Sequence, residues 1–95
     1  MRVILFLRNP DKLDRVATRY VDFPENMSLV AGTIIHQDDG NDFIVGQVEV
    51  CIDREPLQVI LHLKPCGIFE KPTQLEWAEA FERCVKKPEW KVSTN

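Results

Sequence analysis

The segment from Phe43 to Lys64 leaves the chain few ways to fold. Phe-Ile-Val-Gly-Gln-Val-Glu-Val-Cys-Ile and Leu-Gln-Val-Ile-Leu-His-Leu-Lys flank the polar, proline-bearing Asp-Arg-Glu-Pro of residues 53–56. Strand-forming residues on both sides of such a turn predict an antiparallel hairpin, with strands over 43–52 and 57–64. Pairing across the four-residue loop sets Ile52 against Leu57, Val50 against Val59, Val48 against Leu61 and Gly46 against Leu63. Side chains alternate along a strand, so this face is almost pure hydrocarbon and must be covered. The opposite face sets Val45, Gln47, Glu49 and Cys51 against Gln58, Ile60, His62 and Lys64. It is mixed, and it is the side on which a function is expected.

A third strand is predicted over 27–37, joined through Asp38-Asp39-Gly40-Asn41-Asp42, where Asp39-Gly40 suits a tight hairpin. Its expected register sets Leu29 against Val50, Ala31 against Val48, Thr33 against Gly46 and Ile35 against Ile44. Both turns then assign the same face to the core. The outer face gains Val30, Gly32, Ile34 and His36, with His36 opposite Phe43.

Thr73-Gln74-Leu75-Glu76 has the form of a capping box and opens a predicted helix over 73–87, which Pro88 ends. Its apolar stripe, Leu75, Ala78, Phe81 and Val85 with Trp77 and Cys84 beside it, should lie on the hydrocarbon face of the sheet. Ile68 and Phe69 are expected to tuck under the sheet, and Trp90 and Val92 to fold back as a short terminal piece. At the other end, Arg2–Arg8 is apolar on both alternating sets, as a strand covered on both sides would be. Asn9-Pro10-Asp11 then reads as the start of a helix over 10–21, with Leu13, Val16, Ala17, Tyr20 and Val21 at helical spacing. A strand from Arg15 to Phe23 is the competing reading, because Val, Thr, Tyr and Phe favour strands. The expected architecture is a single α+β domain with a mainly antiparallel sheet of four or five strands (2–8, 27–37, 43–52, 57–64).

The chain has 95 residues and a formal net charge of −3, which fits one modest core and disfavours a phosphate-binding surface. Helix, three antiparallel strands, helix is also the element order of double-stranded-RNA-binding domains. Those need a basic cluster opening the last helix, and here that position reads Glu70-Lys71-Pro72-Thr73-Gln74-Leu75-Glu76. No nucleic acid is expected as partner. No stretch is long and apolar enough for a membrane span or a signal-peptide core. Three widely spaced cysteines, Cys51, Cys66 and Cys84, suggest free thiols in a reducing cytoplasm.

Glu49, Gln47 and His62 form the sharpest constellation, since a carboxylate beside an imidazole can set its tautomer for proton transfer. A polar sheet face whose groups satisfy one another is the plainer reading, and nothing around the pair suggests a nucleophile with an oxyanion hole. His36, His62, Cys51 and Cys66 lack the close-spaced pairs of a zinc site, so neither metal nor other cofactor is expected. The surface formed by Val30, Ile34, His36, Phe43, Val45, Gln47, Glu49, Ile60 and His62 is instead expected to bind a partner. A non-enzymatic binding or assembly module, self-associating as a homodimer through that face, is the leading expectation. Its alternatives are a small-molecule pocket on the same face, lined by Phe43, His62, Gln47 and Glu49, contact with a basic protein, or a small enzyme using Glu49 and His62.

Overall fold

The computed structural model describes residues 1–12, 14–24, 28–37, 42–53, 57–66 and 73–94, with residue 94 described by its backbone alone. Among them the chain runs β1 (Arg2–Arg8), β2 (Arg15–Asp22), β3 (Ile34–Ile35), β4 (Phe43–Cys51), β5 (Gln58–Pro65), α1 (Gln74–Val85) and β6 (Lys91–Thr94). The strands form one mixed sheet in the order β3-β4-β5-β1-β2-β6. β1 lies at its centre, parallel to β5 and antiparallel to β2. The α+β class therefore stands, with more strands than expected.

Residues 15–22 form a strand, which corrects the expected helix over 10–21. The cap chemistry at Asn9 is present but serves a turn. Asn9 Oδ1 accepts hydrogen bonds from the backbone N–H of Asp11 (2.8 Å) and Lys12 (3.2 Å), while the Asn9 N–H donates to the Arg15 carbonyl (3.0 Å). That Asx-type turn folds β2 back along β1, from Arg8 opposite Val16 to Arg2 opposite Asp22. Val16, Thr18, Tyr20 and Val21 then take the pleated conformation their branched and aromatic side chains prefer.

Among its described residues, the expected strand over 27–37 is reduced to Ile34 and Ile35. Ala31 and Gly32 form a turn, with Gly32 at φ +95°, a conformation that side-chain-bearing residues rarely adopt. The Gly32 N–H still donates to the Val45 carbonyl and the Val45 N–H to the Thr33 carbonyl, both at 2.8 Å. Ile34 pairs with Ile44 and Ile35 with Phe43, one residue away from the expected register. Asp39-Gly40, Ile68 and Phe69 lie outside the described residues.

In the central hairpin the register is as expected from Gln47 onward: Gln47 opposite His62, Val48 opposite Leu61, Glu49 opposite Ile60 and Val50 opposite Val59. Between Val45 and Gln47 it slips by one, so that Val45, not Gly46, faces Leu63. An ideal Cβ on Gly46 would stand 2.7 Å from Lys64 Cε, so the bare glycine lets the lysine stem lie across this bulge. The extra residue reverses the facing of everything before it. Phe43 and Val45, expected on the outer face, are 1% exposed and join Val3, Leu5, Leu7, Ala17, Leu61 and Leu63 in the core.

α1 covers that core. Thr73 Oγ1 accepts the Glu76 N–H (3.2 Å), as the capping sequence requires. Ala80, Phe81 and Cys84 are buried, with Trp77 and Val85 partly so, whereas Leu75 is 68% exposed. The buried stripe is thus rotated towards Trp77, Ala80 and Cys84. Arg15 fastens the helix to β2, its guanidinium 5.3 Å from the centre of the Phe81 ring and 2.6 Å from Glu82 Oε1. After α1 the chain drops Trp90 into the core, its ring 6.1 Å from that of Phe43, and adds β6 to the edge of β2.

Candidate functional site

The side of the sheet away from α1 presents alternate residues of every long strand. β1 contributes Ile4 and Phe6, β2 Tyr20, β4 Ile44, Gln47 and Glu49, and β5 Ile60 and His62, set side by side by the pairings given above. His62 Nε2 lies 2.9 Å from Glu49 Oε1, and the imidazole rests 5.0 Å from the Phe6 ring. Cys51 Sγ is 4.0 Å from the second oxygen of the same carboxylate. Glu49 thus stands between the two groups as the partner of both. The expected neighbourhood of Glu49, Gln47 and His62 is present, and Phe6, which sequence reading did not join to it, is its apolar wall.

The other residues expected on this surface separate. Ile34 and Ile60 are on it, Ile34 being 49% exposed. Val30 is exposed but precedes the turn at Ala31-Gly32, outside any strand. His36 lies beyond the end of β3, with Nδ1 3.0 Å from Asp42 Oδ1. Phe43 and Val45 lie beneath the sheet, which removes Phe43 from the pocket that it was expected to share with His62. Among the described residues no three His, Cys, Asp or Glu side chains gather as a metal ion would need.

A second place is concave, and it lies on the helix side. Leu5, Val21, Phe23 and Ile35 give an apolar floor to a cavity of about 300 Å³, rimmed by Arg19, His36, Gln37, Lys87 and Glu89. Arg19 comes there by strand alternation: it sits opposite Leu5, between Ala17 and Val21, on the side where its neighbours are hydrocarbon. Its Nη1 donates to Gln37 Oε1 (3.0 Å), and the Trp90 indole N–H donates to the same oxygen (3.2 Å). The helix reading of 10–21 concealed this. Read as a strand, Ala17-Thr18-Arg19-Tyr20-Val21 places a cation on an apolar face, the one sequence signal available.

A smaller cavity of about 240 Å³ opens where β1 and β5 cease to pair after Phe6 and His62, lined by Arg8, Gln47, His62, Lys64 and Trp77 among others. The Trp77 indole N–H is shielded from solvent and has no hydrogen-bond acceptor among the described residues.

Fold and surface together define a small α+β domain, a six-stranded mixed sheet with one helix lying on one of its faces among the described residues. No protein-family model, curated protein or solved structure matches the chain. Among the described residues no helix is long and apolar enough to cross a membrane.

Proposed function

We propose that this chain is a non-enzymatic binding and assembly module of the cytoplasm that works as a homodimer through the open face of its sheet. One observation carries the reading. Ile4, Phe6, Ile44 and Ile60 form a half-buried apolar band with Tyr20 (47% exposed) and Ile34 (49% exposed) beside it, and among the described residues no second layer lies over them. Sheet faces of this composition are ordinarily covered, and an open one marks a contact surface. The band is set among polar groups already satisfied: Glu49 with His62, and Arg2 with its guanidinium 4.4 Å from the centre of the Tyr20 ring. They suit the rim of an interface more than a reaction centre.

Light scattering on the chromatographed protein at micromolar concentration should give twice the 11.0 kDa chain mass. Ile34→Lys and Ile60→Lys, which put charge into the band, should return the monomer. A wild-type monomer, or a dimer indifferent to both substitutions, overturns the reading.

A further inference from the structure

We propose that the cavity on the helix side, floored by Leu5, Val21, Phe23 and Ile35, is a binding site for a small organic acid, with Arg19 receiving the acid group. This goes beyond the assembly reading and is independent of it, since the cavity lies on the opposite face of the sheet from the proposed dimer surface.

Arg19 is a half-buried cation on the side of the sheet that forms the core, across from Leu5, which is 2% exposed. Desolvating a charge in such a place is costly unless a counter-charge compensates it. The partner it has is the neutral amide of Gln37, and among the described residues no carboxylate lies within ion-pair distance of it. The same Gln37 oxygen also accepts from the Trp90 indole, so the guanidinium is oriented before any ligand arrives. A guanidinium presents five donors in a rigid fork and matches an oxyanion with two of them at once.

The rest of the lining fits the remainder of such a molecule. Apolar floor with few convergent polar groups is the ordinary form of a small-molecule site, and about 300 Å³ is room for a compact ligand only. The charges around it favour an anion: Lys87 joins Arg19, against Glu89, while His36 is turned to Asp42. The ligand is thus a compact apolar body carrying one oxyanion head, carboxylate or phosphoryl.

Benzoate, hexanoate and phenyl phosphate, with benzamide and hexanamide as neutral counterparts, should be titrated into the ¹⁵N-labelled protein at neutral pH. The acids should shift the backbone amides of Arg19, Val21, Ile35 and Gln37 saturably at millimolar concentration, and the amides should not. Comparison of benzoate with phenyl phosphate separates the two head groups. Arg19→Gln should weaken the better acid by roughly tenfold or more, the size of one charge-assisted hydrogen bond. Should Arg19→Gln not fold, Gln37→Glu serves as well. It seats a carboxylate beside the guanidinium and should raise the melting temperature while abolishing acid binding. Shifts located elsewhere, equal response to acids and amides, binding retained in Gln37→Glu, or no saturable shift with any probe would each overturn the proposal.

Discussion

The two ends of the β4–β5 hairpin have the same kind of sequence and opposite fates. Near its open end Phe43, Val45, Leu61 and Leu63 are sealed, all 4% exposed or less, beneath Phe81, Cys84 and Trp90. Near its turn Val50, Ile52 and Leu57 are equally apolar and are 52%, 76% and 60% exposed. Alternation marks Leu61 and Leu63 as core no less than Val50, Ile52 and Leu57, but alternation says only which side a residue faces. Coverage depends on how far the covering element reaches. α1 has twelve residues, roughly 18 Å at 1.5 Å each, and lies against β2 and β5. The contrast teaches that the hydrocarbon face of this sheet is longer than the lid supplied by the described residues.

The contrast is sharpest at Phe81, fully buried and at the centre of the sealed end. Phe81→Ala should cost about 3–5 kcal/mol of unfolding free energy, from lost transfer energy and the cavity left behind. It also removes the ring that the Arg15 guanidinium lies over. Urea denaturation followed by tryptophan fluorescence measures it, since Trp90 belongs to the same core. A cost below about 1 kcal/mol would mean that α1 is not the lid described here.

Much of this plan could be read from residues alone, and where reading failed the cause is local. The capping sequence at Thr73 and the pairing of Gln47 with His62 depend on short-range rules that nothing overrode. At Gly46 one extra residue in the strand reversed the facing of Phe43 and Val45, and a glycine in a strand signals such a bulge without saying whether one occurs. Asn9-Pro10-Asp11 is cap chemistry for a helix or a turn alike, and only the docking of β2 along β1 decides between them. The Arg19 cavity needed all of this at once. Its wall comes from β1, β2, the β3 end and the segment after α1, which no spacing rule connects.

Gly32 tests the other place where a strand was expected. Its φ of +95° lets the chain turn at Ala31-Gly32 and still bond to Val45 on both sides. An added Cβ would meet nothing within 4 Å, so the cost of Gly32→Ala is the backbone conformation alone, about 1–2 kcal/mol. It should fall on the β3 segment and leave the sealed end of the hairpin intact, which hydrogen exchange of Val45 against that of Leu61 can read. Equal loss of protection at both would show that β3 and the core open together.

The smallest effect belongs at the bare end. Ile52 is 76% exposed, so Ile52→Ser removes little buried area in the folded chain. Its unfolding free energy should change by no more than about 0.5 kcal/mol. The value of the measurement lies in its dependence on protein concentration. If assembly uses the open face, the small cost stays the same from dilute to concentrated solution, because Ile52 is uncovered in both. If the second copy instead supplies the missing part of the lid over Val50, Ile52 and Leu57, the cost grows with concentration and the dimer weakens. That outcome would move the assembly surface to the helix side of the sheet.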